Sequence, residues 1–236
     1  GDYSSINFAT PGGEFLIAVN GADRMIYYDG TTWRRIDDAT TELPFDAQTV
    51  NYGAPGITVT GGTSGATGVI VEVIDNGATG TLRLKTVVGT FVDNELLTAS
   101  TGSATSNIPS GVTLVPSVAG VSTATFSHIW TYESRIFVLK KNSLTAYAFL
   151  TDSLGGTLTT ISLAGVMQKG GSLTIGATWS LDAGDGLGDK CVFISDQGEA
   201  AVYEGTNPAD PTAWRLANVY PMAETMHKNA LMRAGG

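Results

Sequence analysis

Apolar residues recur along the chain in short runs bounded by glycine, asparagine and proline, the punctuation of strands and turns rather than helices. Three seven-residue stretches share one pattern: "FLIAVNG" at 15–21, "IFVLKKN" at 136–142 and "VFISDQG" at 192–198. Each ends on Gly or Asn, residues that tolerate the positive φ of a hairpin turn. A second run follows each turn ("DRMIYYDG", "SLTAYAFL" and "EAAVYEG"), with Tyr28, Tyr147 and Tyr203 at similar places. The pattern predicts one strand plan used three times.

The spacing is uneven in an informative way. Ile136 to Val192 is 56 residues, Phe15 to Ile136 is 121, and the excess of 65 matches a segment of different character from about Leu43 to Ile108. An aromatic precedes each unit, at Phe8, Trp130 and Trp179. The stretch "YDGTTWRRI" at 28–36 is echoed by "YEGTNPADPTAWRLA" at 203–217, and "FATPGG" before Phe15 by the terminal "LMRAGG". Four-stranded units of about 40–60 residues set by hairpins and a recurring aromatic are the signature of β-propeller blades. Three such units fall short of the roughly four to eight that close a propeller. The expected fold is therefore all-β: an incomplete β-propeller, about three blades of a larger propeller, with an inserted small β-barrel or β-sandwich module. The expected organisation is a blade at 1–43, the inserted module at 44–109 and further blades at 110–236, ending before a fourth repeat. The repeated Trp is expected between neighbouring blades, which makes the echo architectural.

Inside the inserted segment, "GVIVEVI" (68–74) and "TLRLKTV" (81–87) alternate as strands and are joined through "DNGATG", a strong hairpin signal. "TSGATG" at 63–68 is echoed by "TGSATS" at 101–106. The glycine-rich "GGTSGATG" lacks the Gly-Lys-Ser/Thr ending of a phosphate loop, and reads as a turn. The segment 223–233, "AETMHKNALMR", consists mostly of helix formers, whereas the repeat register makes it the lead-in to another blade.

Composition narrows the function classes. Thirty glycines and only 15% charged residues among 236 fit many short strands joined by tight turns. The opening "GDYSSINFAT" has neither an initiator Met nor the basic and apolar regions of a secretory signal, so an excised segment is expected. No run of 18 apolar residues is present to span a membrane as a helix. A formal charge of −9 opposes phosphate-backbone binding, which needs a surplus of Lys and Arg. The single Cys191, in "CVFI", forms no intrachain disulfide and reads as a small buried hydrophobe.

Candidate chemistry is sparse. His128 and His227 stand in unrelated contexts without metal-ligand spacing, and no Gly-x-Ser-x-Gly elbow is present. Asp182, Asp185 and Asp189 in "DAGDGLGDK" are the best calcium candidate, as hard oxygen ligands along a glycine-rich loop, but their spacing is not that of an EF-hand. Asp29 and Glu204, in similar turns of different units, are the one carboxylate pair suggesting a glycosidase, which needs two carboxylates across a cleft. "YDGTTW" resembles the end of the Ser-x-Asp-x-Gly-x-Thr-Trp repeat of sialidase propellers, without its leading Ser and without an identifiable arginine triad. Trp33, Tyr132 and Trp214 are candidate sugar-stacking aromatics, with core packing as the competing role. No catalytic, cofactor-binding or metal residue is assigned.

Taken together, "GDYSSINFATPGGEFLIAVNGADRMIYYDGTTW", "WTYESRIFVLKKNSLTAYAFLTDSLGG" and "CVFISDQGEAAVYEGTNPADPTAWRLANVYPM" resemble a family of tailed-bacteriophage virion proteins. The most specific stretch is "VFISDQGEAAVYEGTNPADPTAW", and "GGTSGATGVIVEVIDNGATGTLRL" with "VGTFVDNELLT" is similar to a small β module recurrent in phage structural proteins. The resemblance implies a tail tube or nozzle protein of a short-tailed phage, built around a β-propeller. It implies a ring below the portal and adaptor through which the genome leaves. It also implies a virion location after synthesis in the host cytoplasm, partners among its own copies and neighbouring tail or adaptor proteins, and no catalysis. Two other functions compete with it: a carbohydrate- or receptor-binding virion module, and a glycan hydrolase of propeller type.

Overall fold

The computed structural model describes residues 2–108, 112–180, 188–225 and 227–228. Within them lie 19 strands and one 3-10 turn, Thr123–Thr125, so the chain is all-β. It divides into two compact units, Gly1–Asp37 with Val118–Gly236, and Asp38–Ser117. In chain order, an N-terminal sheet comprises β1 (Ser4–Thr10), β2 (Gly13–Val19), β3 (Met25–Tyr28) and β4 (Trp33–Ile36). The second unit holds β5 (Thr41–Val50), β6 (Thr58–Gly61), β7 (Thr67–Asp75), β8 (Gly80–Val88), β9 (Leu96–Thr98), β10 (Ser103–Ser106) and β11 (Thr113–Leu114). A middle sheet follows with β12 (Phe126–Tyr132), β13 (Arg135–Lys140), β14 (Thr145–Ala148) and β15 (Thr159–Ser162). A C-terminal sheet ends the described fold with β16 (Leu173–Trp179), β17 (Lys190–Ser195), β18 (Glu199–Gly205) and β19 (Trp214–Pro221).

The three four-stranded sheets are antiparallel meanders in sequence order. The apolar runs seen in the sequence are their second strands; each is preceded by a strand that includes the expected aromatic. One face of the N-terminal sheet (Phe8, Ile17, Val19, Tyr27) packs against Ile136, Val138, Tyr147 and Phe149 of the middle sheet. The opposite face of the middle sheet (Trp130, Tyr132, Phe137, Leu139) packs against Cys191, Phe193, Ala201 and Tyr203. Strand alternation thus gives every second residue to each interface.

This packing corrects the repeat alignment. The pairs Leu16–Tyr28, Ile136–Phe149 and Cys191–Tyr203 are equivalent, so Tyr28 and Tyr203 match but Tyr147 does not. Phe149, not Tyr147, occupies their place. Aligning Phe15 with Ile136 and Val192 is one residue out of register at each step, and one residue reverses the face a side chain occupies. The recurring aromatic of the first strands is likewise Phe8, Tyr132 and Trp179, which pair with Phe15, Arg135 and Lys190. Trp130 lies two residues earlier and packs into a different place. Its ring fills the space where a side chain at Gly176 would lie, since a Cβ there would come within 2.2 Å of it.

The second unit is a closed barrel. Six strands run in the order β10-β9-β6-β7-β8-β5, β10 pairs back to β5, and β11 adds to β5 through Thr113↔Glu42 and Leu114↔Thr41. Closure removes exposed sheet edges. The interior is apolar (Leu43, Phe45, Val59, Ile70, Leu82, Leu84, Leu97), and the predicted "DNGATG" hairpin joins β7 to β8. The unit is wider than the segment 44–109, because Thr41 of β5 and Leu114 of β11 belong to its sheet. Arg83 is 1% exposed, within 3.2 Å of Glu72 and 3.6 Å of Glu42. Both carboxylates are ion-pair partners for this buried guanidinium.

Candidate functional site

The carboxylates singled out in the sequence are engaged by their own surroundings. Asp29 Oδ1 accepts the Thr31 hydroxyl at 2.7 Å and the N–H groups of Thr31 and Thr32 at 2.9 and 2.8 Å. Arg34 stands 3.5 Å from its other oxygen. These hydrogen bonds, led by the Thr31 hydroxyl, hold the carboxyl far below the usual carboxylate range. Glu204 faces Lys190 at 2.8 Å and Arg215 at 3.3 Å, with its pKa lowered chiefly by the Lys190 hydrogen bond. Asp29 belongs to the N-terminal sheet and Glu204 to the C-terminal sheet, and the middle sheet packs between them. The structure does not bring the pair together across a cleft.

The echo at 28–36 and 203–217 has a different basis. The counterpart of Asp29 is Asp210, whose Oδ1 accepts the Thr212 hydroxyl at 2.7 Å and the Thr212 N–H at 2.8 Å. In each case Asp-x-Thr-x-Trp folds an Asx turn that delivers a tryptophan to the fourth strand. Trp33 lies 5.2 Å from Tyr28, and Trp214 lies 5.2 Å from Tyr203. The equivalent tyrosines are thus each backed by a tryptophan. Spacing from Tyr to Trp hides this match, because the second hairpin is longer.

Of the aromatics considered for sugar stacking, Tyr132 is buried, its hydroxyl 2.8 Å from the Gly205 carbonyl and 3.1 Å from that of Asp189. Trp214 is half-buried against Phe137, Tyr132 and Tyr203. Trp33 is 51% exposed and Trp179 48%. They lie on the two outer sheets of the stack and do not form one platform. Trp130 packs between the middle and C-terminal sheets in the same cluster as Cys191, whose pKa burial drives well up.

His128 joins the first strands of all three sheets. Its Nε2 donates to the Gly176 carbonyl at 2.8 Å, and its Nδ1 lies 3.2 Å from Ser4 Oγ. His227 stands 3.4 Å from Asp2. Asp182 and Asp185 of the calcium candidate lie outside the described residues, as does most of the segment 226–236; Asp189 offers its carbonyl to Tyr132. Among the described residues, no group of three or more His, Cys, Asp or Glu side chains is placed to hold a metal ion.

In the barrel, the glycine-rich loop is an anion nest filled from within. Glu95 accepts the N–H groups of Thr63, Ser64 and Val92 at 3.1, 2.9 and 2.8 Å and the Ser64 hydroxyl at 2.9 Å. Burial pushes its pKa up, but these four hydrogen bonds outweigh it and the net shift is downward. A Cβ at Gly61 would fall 2.6 Å from this carboxylate, so the loop closes only over glycine. The sequence singled out the loop but not its occupant, which lies more than 30 residues downstream in "VDNELLT".

Clefts open in each unit. One, of about 370 Å³, lies where the β2–β3, β13–β14 and β17–β18 turns meet the starts of β12 and β16. The other opens at one end of the barrel between Thr40, Thr86, Phe91 and Leu114. No protein-family model, curated protein or solved structure matches the chain.

Proposed function

We propose that this chain is a non-catalytic structural component of a phage tail. Its three sheets are consecutive blades of a larger β-propeller in the tail tube, nozzle or head-to-tail connection, forming part of the DNA-exit conduit. One observation carries the architectural half. Phe8 and Tyr132, at equivalent positions, are buried by the sheet that follows, whereas Trp179, the third member, is 48% exposed. The opposite end behaves alike: Trp214 is covered by Phe137 and Tyr132 of the preceding sheet, whereas its counterpart Trp33 is 51% exposed. Both outer sheets therefore display the residues that the inner interfaces bury, which supports a stack that continues in both directions.

The tail assignment rests on the resemblance carried by 192–214, and the non-catalytic reading on Asp29, Glu204 and Glu95 being engaged in turns, ion pairs and a nest. The net charge of −9 suits a conduit that must not retain phosphate. Copies of the chain form a ring, neighbouring tail or adaptor proteins contact it above and below, and acidic residues face the lumen. Antibody against this chain, applied to purified particles from its source, tests the reading. Gold label at the tail is expected; particles lacking the chain by label and by mass spectrometry would overturn it.

The exposed Trp33–Tyr28 pair also favours a second reading, a carbohydrate- or receptor-binding virion module. Glycan binding abolished by Trp33→Ala would select it over the first.

A further inference from the structure

We infer that Asn76, in the hairpin between β7 and β8, is a site of spontaneous deamidation, with the Asp75 carboxylate as the base that starts it. This goes beyond the tail reading and does not depend on it. The reaction is an attack by the backbone nitrogen of the following residue on the side-chain carbonyl carbon of an asparagine. A five-membered succinimide forms, ammonia leaves, and water opens the ring to aspartate or isoaspartate. A following glycine favours the attack, because it has no Cβ to block the approach. Two of the ten asparagines, Asn20 and Asn76, precede a glycine. Their surroundings are opposite.

Asn20 is held at both reacting groups. Its Oδ1 accepts the N–H groups of Ala22 and Asp23 at 3.0 and 2.8 Å, and its Nδ2 donates to Asp23 Oδ2 at 2.7 Å. The N–H of the buried Gly21 donates to the Phe126 carbonyl at 2.7 Å. A carbonyl orients that N–H without taking its proton. Asn76 differs at each point. It is exposed, and its side chain has no hydrogen-bond partner among the described residues. Its backbone N–H donates to the Thr79 carbonyl at 2.9 Å, which closes the turn. Gly77 is exposed as well, with open space where a Cβ would lie. The Gly77 N–H donates to Asp75 Oδ1 at 2.7 Å, the distance at which a carboxylate serves as a general base. Asp75 takes this proton as the bond from Gly77 nitrogen to Asn76 Cγ forms. It returns the proton to the side-chain nitrogen as the Cγ–Nδ2 bond breaks, and ammonia departs. Water then cleaves one of the two imide bonds. Cleavage at Cγ leaves aspartate, a second carboxylate beside Asp75. Cleavage at the backbone carbonyl leaves isoaspartate, which lengthens the main chain by one carbon and draws the Gly77 N–H away from Asp75.

Peptide mapping by mass spectrometry, on folded protein aged in neutral buffer, tests the site. The Asn76 peptide should gain the mass of an amide-to-acid conversion and resolve into aspartate and isoaspartate forms, while Asn20 remains an amide. Asp75→Asn keeps an acceptor for the Gly77 N–H but removes the base, and should slow conversion at Asn76 about tenfold or more. In guanidinium chloride, which removes both environments, Asn20 and Asn76 should convert at similar rates. Should Asp75→Asn fail to fold, the comparison with Asn20 in the unaltered chain still decides. An Asn76 that keeps its amide, an Asn20 that converts as fast in the folded protein, or a rate indifferent to Asp75→Asn would overturn the inference.

Discussion

At the residue scale, Gly176 and Trp130 form a close fit between the middle and C-terminal sheets. Adding a methyl at Gly176 drives a Cβ into the Trp130 ring, whose edge is fixed by Phe137 and Phe193. Gly176→Ala should therefore destabilise the protein by about 1–3 kcal/mol, measured by urea denaturation followed by tryptophan fluorescence. An unchanged midpoint would mean that the middle and C-terminal sheets are not packed as described. Ser134 offers the reverse change. With Glu133 it makes a two-residue turn between β12 and β13, and both residues have positive φ (46° and 53°). Ser134→Gly removes that strain and should raise stability by about 0.5–1 kcal/mol. Asp29→Ala should lower the melting temperature, because the Thr31 and Thr32 donors lose their acceptor.

At the element scale, the barrel depends on Glu95 remaining ionised. Its folded pKa is lowered, so its contribution is present above the ordinary value of 4.5 and is lost as pH falls through the folded value. The barrel should loosen in acid around the turn between β6 and β7 and the segment after β8, seen as faster amide exchange at Thr63, Ser64 and Val92. Glu95→Gln should cost about 2 kcal/mol at neutral pH and remove that acid step. All four tryptophans lie in the sheet unit, so circular dichroism or hydrogen exchange is needed to follow the barrel.

Much at this scale was legible in the sequence. Hairpin turns and alternating runs marked the meanders, and the change in character near Leu43 marked the second unit. Two things were not legible. Strands shifted by one residue look alike as apolar runs, because "FLIAV", "IFVLK" and "VFISD" are apolar on both faces, so only cross-sheet packing fixes which residue matches which. The partners of Asp29 and Glu95 were hidden for different reasons. Asp29 is satisfied by its own turn, which composition reports only as loop. Glu95 reaches a loop far from it in sequence, and no local pattern announces such a contact.

At the scale of the whole molecule, the proposed tail role requires that Trp33 and Trp179, exposed in this chain, be covered on assembly. Each is predicted to meet an aromatic of an adjoining blade, as Trp214 meets Tyr132. The measurement that tests this most directly is a cryo-electron microscopy reconstruction of intact particles at a resolution that separates strands. The account predicts the three sheets as successive blades about one axis, further blades covering Trp33 and Trp179, and copies of the chain ringed around the tail lumen with acidic side chains toward the DNA path. Density for the chain only at the particle periphery, an open three-sheet stack, or a basic lumen wall would contradict it.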